Sequence, residues 1–220
     1  MKYYPINVDI TKKRCVVLGG GSVAERKVES LLNSDGAVTV ISPDLTPQLK
    51  ALYSQGKIQH TCRNYHKGDL KDAFLVFGAT NDPKANEEIG REARKRGVLI
   101  NIVDTPEMSS FIVPSVMNRG DLAITISTNG NSPALAKRIR EKLENAYGEE
   151  YNIFLVIMGA VRERLLKSSD DSERNKHMLY RIVDSNMIQL IKERNKKGIN
   201  NIIKEALGEG YSLEELKVPF

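Results

Sequence analysis

The run Val16-Val17-Leu18-Gly19-Gly20-Gly21-Ser22-Val23-Ala24 constrains this chain more than any other stretch. A short β-branched strand that empties into a glycine turn and then a helical pattern is built to bring backbone N–H groups up to a pyrophosphate. Gly19, Gly21 and Ala24 fill the G-x-G-x-x-G/A spacing. The first glycine permits the tight turn, the second lets the backbone approach phosphate, and the small third residue lets helix and strand pack closely. The helix start then turns its partial positive charge toward the anion. Glycine turns also follow buried strands for folding reasons alone, so the flanking pattern has to decide.

That pattern continues for about ninety residues as alternating strand and helix signals, the mark of a parallel sheet. Residues 25–33 read as a helix that ends near Asp35-Gly36, and Ala37 to Ile41 as a second buried strand, which completes one βαβ unit. An acidic residue commonly ends this strand to bind the ribose hydroxyls. Here Ser42-Pro43 holds that place and Asp44 is the nearest carboxylate, either a ribose ligand or a turn residue after proline. The absence of an Arg directly after the strand leans toward NAD rather than NADP. Strands are expected at residues 57–61, 74–77 and 98–103, with a helix from Asn81-Asp82-Pro83 to Arg96 stopped by Gly97. Asn101 and Asp104 then fall at the carboxyl end of the fifth strand, the edge at which open parallel sheets bind ligands.

Charge and composition narrow the class. The chain has 220 residues, a net charge of +5 and a pI near 9.1, enough length for one large or two modest domains. No signal-peptide pattern and no apolar run of spanning length is visible, which reads as a cytoplasmic protein without membrane partners. Cys15 and Cys62 read as reduced core residues, and His60, His66 and His177 lack metal-ligand spacing, so no metal site is expected. The run Lys137-Arg138-Ile139-Arg140-Glu141-Lys142 is either a solvated helix face or a seat for a polyanion. Without aromatic interleaving or a recognition-helix pattern, nucleic acid is not the expected partner.

The second half is organised differently. Residues 111–113 and 122–126 read as strands, parted by Pro114-Ser115 and Asn118-Arg119-Gly120-Asp121. The loop Ser127-Thr128-Asn129-Gly130-Asn131-Ser132-Pro133 ends in an N-cap and a proline at the first helical position. It offers a place for substrate carboxylates, or Ser132 is simply the cap. The helix it opens puts Leu135, Ile139 and Leu143 on one stripe. Beyond Glu149 only helices are expected: an apolar one around residues 153–161 suited to a subunit interface, a polar linker at 168–172, and amphipathic stretches at 173–183, 185–196 and 199–207. A final capping box, Ser212-Leu213-Glu214-Glu215, opens a short helix.

Taken in order, Pro5, the run from Gly19 to Lys27, Ala79-Thr80-Asn81-Asp82, Asn101-Ile102-Val103-Asp104, Ser110 to Ser115 and Ser127 to Pro133 resemble the precorrin-2 dehydrogenase / sirohydrochlorin ferrochelatase family, the stand-alone form of the N-terminal module of siroheme synthase. The likeness covers residues 1 to about 147; beyond it only the helical character matches. It implies a Rossmann-type α/β doubly wound parallel sheet over residues 1–113, a small α+β dimerisation region at 114–147 and an all-helical C-terminal domain at 148–220, in a homodimer. It further implies NAD-dependent oxidation of precorrin-2, a tetrapyrrole polycarboxylate, to sirohydrochlorin in siroheme biosynthesis, which suits a basic chain. By motif position Asp104 is the catalytic residue, Ser22, Val23, Pro43 and Asp44 are cofactor contacts, and Ala79, Thr80 and Asn81 line the nicotinamide side. Arg119 and the loop Ser127, Thr128, Asn129, Gly130 and Ser132 are the substrate candidates; Thr128 stands where some relatives have serine. A chain that also inserts Fe2+, and a non-catalytic NAD(H)-sensing module, are the alternatives.

Overall fold

Five apolar runs become five parallel strands, and their order sets the position of the site. The computed structural model describes residues 3–103, 105–168 and 171–220. Strands β1 (Arg14–Leu18), β2 (Ala37–Ile41), β3 (Gln59–Thr61), β4 (Leu75–Gly78) and β5 (Leu99–Ile102) lie in the order β3-β2-β1-β4-β5. The chain leaves β1 toward β2 and β3, then crosses back to β4 on the other side. The carboxyl ends of β1 and β4 therefore flank the reversal point, where such sheets open a crevice. Within β1 the side chains divide between two faces, and both are apolar, as a sheet covered on both sides requires. Cys15 and Val17 join a core with Ala24, Val28 and Leu31 of helix α1 (Ser22–Leu32) and Leu49 of helix α2 (Pro47–Ser54). Val16 and Leu18 join the opposite core with Ile89 and Ala93 of helix α3 (Pro83–Arg96).

The chain divides into two compact units, Met1–Val113 and Pro114–Phe220. The second holds a two-stranded antiparallel ribbon, β6 (Ser115–Arg119) and β7 (Leu122–Ile126), followed by helices α4 (Pro133–Ala146), α5 (Glu150–Ser168), α6 (Ser172–Val183), α7 (Met187–Lys192) and α8 (Lys196–Leu207). Its core sets Ile157, Val161 and Leu165 of α5 against Ile182, Met187, Ile191, Ile199 and Ile203. A Rossmann-type parallel sheet, a small antiparallel sheet and a helical C-terminal region are thus the architecture. Among the described residues, no helix is long and apolar enough to cross a membrane.

Several elements differ from their sequence signals. Helix α1 starts at Ser22 rather than Glu25, because Gly21, in extended backbone at φ −84°, is already its N-cap. Helix α2 carries no strong apolar period, yet Thr46 caps it by accepting from Leu49 N–H, and Pro47 fits its first turn. Residues 111–113 do not form a strand. The Ser109 and Ser110 hydroxyls accept from Ile102 N–H and Ile100 N–H, each at 2.9 Å, and so close the open edge of β5. Asn101 Nδ2 donates to the Phe111 carbonyl, and the Phe111 ring packs edge-on against Phe77 at 5.6 Å. The strand forms later, and the ribbon turns at Gly120-Asp121 alone, since Arg119 pairs with Leu122. Gly120 has φ +55°, which a two-residue hairpin turn demands.

In α4 the inward position is Ala136, and Leu135 is exposed. Cys15 is buried as expected, but Cys62 is exposed at the end of β3. The stretch 185–196 ends at Lys192, and Arg194, in the left-handed region at φ +54°, precedes Asn195, which caps α8. The Ser212 hydroxyl does accept from Glu215 N–H, but only a single turn forms, because Lys217 adopts φ +57° and Pro219 follows. Of the polar linker at 168–172, residues 169 and 170 lie outside the described residues.

Candidate cofactor site

The glycine turn is tied to both neighbouring strands, with Gly19 N–H donating to Ile41 O at 3.0 Å and Ala79 N–H donating to Leu18 O at 2.8 Å. Its three glycines do different work. Gly19 has φ +117°, and a Cβ there would sit 2.3 Å from the Ala79 carbonyl oxygen. A Cβ on Gly20 would sit 1.9 Å from the Asp44 carbonyl oxygen. Gly21 meets nothing within 4 Å. Two glycines therefore let backbone pack on backbone, and the third leaves an open flank at the start of α1. Ala24, the small residue that completes the spacing, is fully buried beneath it.

Helix α1 also begins without a side-chain cap. The Thr46, Asp82 and Ser132 side chains cap α2, α3 and α4 by accepting backbone N–H groups at 3.2, 2.9 and 3.2 Å. A glycine N-cap leaves the first-turn amides of α1, those of Ser22 and Val23 among them, without a side-chain acceptor, beside the open flank of Gly21. First-turn amides and the helix dipole favour an anion, and a site made of backbone donors fits a pyrophosphate.

The segment after β2 is clamped from three sides. The Pro43 carbonyl is 3.2 Å from Cys62 Sγ, and His60 Nε2 is 2.9 Å from the Ser42 carbonyl. Thr46 N–H donates to Gly20 O at 3.0 Å, while the Thr46 hydroxyl donates to the Glu25 carboxylate. These bonds set the place of Pro43 and Asp44, both exposed, against the glycine turn. The cation that follows β3, Arg63, is taken up in a two-pronged pair with Asp69, both contacts at 2.7 Å.

Val23, Ala79, Thr80, Asn81, Val103 and Thr105 line a groove of about 550 Å3. It joins the start of α1 to the carboxyl ends of β4 and β5. Thr80 is held there by α3, its hydroxyl donating to Asn86 Oδ1 at 2.8 Å and its carbonyl accepting from Asn86 Nδ2 at 3.0 Å. Asp104 lies outside the described residues, between Val103 and Thr105 of this lining. Asn101 stands at the same sheet edge, but its amide braces the Phe111 segment.

The loop of the second unit closes on itself. Ser127 Oγ accepts from Asn129 N–H at 3.1 Å, Thr128 Oγ1 from Ser132 N–H at 3.0 Å, and Ser132 Oγ from Leu135 N–H at 3.2 Å. Asn129 and Gly130 turn the chain at φ +52° and +87°. A hydroxyl that accepts in this way keeps its own proton to donate, so the loop still presents O–H donors. The Arg119 guanidinium donates to the Asn118 and Glu144 carbonyls at 2.9 and 3.0 Å, which ties the ribbon to the last turn of α4.

Sequence reasoning passed over Gly20, Glu25 and Asn86, and took Cys62 for a core residue. A glycine between two motif glycines carries no separate local signal, and the other three act on partners outside their own elements.

Sheet order, glycine turn and groove define a Rossmann-type NAD(P)-binding protein. Two family models match: one for NAD(P)-binding over residues 6–115, and one described as the sirohaem biosynthesis protein central region over residues 119–146. The siroheme synthase of Methylobacillus flagellatus is 36% identical over 163 residues, 74% of this chain and 35% of that protein. The siroheme synthase of Thioalkalivibrio sulfidiphilus is 30% identical over 215 residues, 98% of this chain and 44% of that one. The chain thus spans less than half the length of these curated relatives. A solved structure, SirC, precorrin-2 dehydrogenase, superposes with a TM-score of 0.78 at 25% identity, over 93% of this chain and 98% of that one. The chain belongs to the precorrin-2 dehydrogenase and siroheme synthase family.

Proposed function

We propose that this chain oxidises precorrin-2 to sirohydrochlorin with NAD, in siroheme biosynthesis. The observation that carries the reading is the likeness to SirC, precorrin-2 dehydrogenase, along nearly the whole of both chains. When bound, NAD supplies the hydride acceptor, and the protein supplies orientation and electrostatics. The Gly19–Val23 turn holds the pyrophosphate by backbone N–H groups, with Pro43 and Asp44 beside the adenosine ribose. Ala79, Thr80 and Asn81 flank the nicotinamide. Asp104 takes the proton that leaves the tetrapyrrole as its hydride departs, so the substrate loses one hydride, which carries both electrons, and one proton. Arg119 and the loop Ser127, Thr128, Asn129, Gly130 and Ser132 receive substrate carboxylates.

Preference for NAD over NADP is supported by Arg63. The guanidinium nearest in sequence to the end of β3 is spent on Asp69 and is not free to take a 2′-phosphate. We further read residues 114–147 as the dimerisation region of a cytoplasmic homodimer and 148–220 as its helical domain.

An anaerobic assay with enzymatically made precorrin-2 tests the activity, following NADH absorbance and the sirohydrochlorin spectrum together. Wild type is expected to produce both, and Asp104→Ala neither, while still binding NAD. NAD binding by wild type without NADH formation would sink the oxidation, and a larger rate with NADP than with NAD would overturn the cofactor preference. Adding Fe2+ or Co2+ to the product in the same vessel reads out chelation separately.

A further inference from the structure

Lysine is rarely withdrawn from water without an anion to meet it. Lys27 is such a residue. It sits half-buried on α1, and its ammonium lies 5.3 Å from the centre of the Phe77 ring. Among the described residues it has no ion pair, and the charge beside it is the like charge of Arg26. Burial, and then Arg26, pull its pKa below the ordinary lysine value. An aromatic face compensates only part of that desolvation.

Its place in the fold relates it to the groove. Val23 and Lys27 are one helical turn apart on the same face of α1, about 6 Å along the axis. Ala79 and Phe77 are two residues apart along the same edge of β4 and its exit, about 7 Å. Val23 and Ala79 line the groove. The Lys27–Phe77 pair is therefore the layer directly beneath that lining, and a helical side chain leans toward the N-terminal turn, here toward the glycine loop. No fully buried side-chain nitrogen among the described residues lacks a partner, so the ammonium keeps an opening to solvent.

We propose that Lys27 is a positioning residue that receives an anionic oxygen brought into this groove. The inference rests on the dinucleotide reading of the groove and extends it. Two sources share that chemistry: a cofactor phosphate and a substrate carboxylate.

Lys27→Met keeps an unbranched stem over Phe77 and removes the charge, and Lys27→Arg restores the charge. The purified full chain is titrated with NAD, with inorganic pyrophosphate and with sirohydrochlorin, and each variant's melting temperature is recorded. Lys27→Met is expected to melt no lower than wild type and to weaken binding by at least about tenfold, with Lys27→Arg recovering most of it. A phosphate partner weakens NAD and pyrophosphate together. A carboxylate partner weakens sirohydrochlorin alone and raises KM for the tetrapyrrole with little change in kcat. Unchanged affinity for all three ligands in a folded Lys27→Met overturns the proposal and leaves Lys27 as a stem that covers Phe77. If wild type binds NAD yet makes no NADH, the oxidation falls while Lys27 is still judged by the titrations. If wild type binds none of the three ligands, both fall.

Discussion

Two loops in this molecule feed a helix, and they treat its first turn in opposite ways. Ser127 to Ser132 spends three hydroxyls on nearby backbone amides, and one of them, that of Ser132, caps α4 by accepting from Leu135 N–H. Gly19 to Gly21 has no side chain to spend, and α1 begins with first-turn amides that no side chain caps. The first arrangement caps its helix from within and keeps only O–H protons to offer, whereas the second has the open backbone donors of an anion receptor, although in sequence both are short polar or glycine-bearing turns ahead of a helix. A third case shows what a satisfied anion looks like in this fold. The buried carboxylate of Glu92 accepts from the Tyr65 hydroxyl at 2.6 Å, Gly68 N–H at 2.9 Å and Arg96 Nε at 2.6 Å.

The sharpest way to break the contrast is to fill the glycine turn. Gly20→Ala drives a methyl into the Asp44 carbonyl and is expected to cost about 3 kcal/mol, seen as a lower denaturation midpoint. A midpoint within about 0.5 kcal/mol of wild type would mean that the turn yields easily. Gly21→Asp makes α1 resemble α4. Its backbone at φ −84° accepts any residue, so the helix should gain a few tenths of a kcal/mol while NAD affinity falls roughly a hundredfold, about 2.7 kcal/mol. Unchanged NAD affinity by calorimetry would remove the receptor reading of this turn.

Removing the charge of the satisfied anion comes next. Glu92→Gln is expected to cost about 2 kcal/mol. Burial pushes the Glu92 carboxyl up, but the Tyr65 hydroxyl, Gly68 N–H and Arg96 outweigh it and hold it below the ordinary value of 4.5. A carboxyl depressed in the folded state stabilises fully above the unfolded value and progressively less as pH falls through the folded one. Wild type should therefore lose stability below about pH 4.5, and Glu92→Gln should lose less over the same window, in thermal melts from pH 6 to 3. The smallest change falls on the self-satisfied loop. Ser132→Ala should cost about 1 kcal/mol of stability without altering NAD affinity, and a change in NAD affinity would refute the separation of the two roles.

How much of this was legible depended on distance along the chain. The unit from β1 through α1 to β2 is written in adjacent residues, as are the Pro83 start and Gly97 stop of α3, and there the structure agrees within a few residues. The likeness to precorrin-2 dehydrogenases is borne out as well. Residues 111–113 misled because an apolar triplet looks like a strand, and what it does instead depends on Phe77 and Asn101, whose proximity no local pattern expresses. Cys62 looked like core for the same reason: residue type suggests burial, but its place past the end of β3 decides exposure. Asp104 was read from its motif and from its place at the end of a strand, and lies outside the described residues.

By itself, then, the sequence determined the continuous apolar runs that must be sheathed on both faces, the glycine spacing after the first of them, the start and stop of α3 and the cap of α4. These follow from steric and hydrogen-bonding preferences that act within a few residues. The tertiary structure alone decided that Gly20 abuts Asp44, that Glu25 holds Thr46, that Asn86 holds Thr80, and that a lysine on α1 rests on an aromatic ring of β4. Each of these joins residues from different elements, and only the packing of helices onto a particular strand order brings such groups within bonding distance.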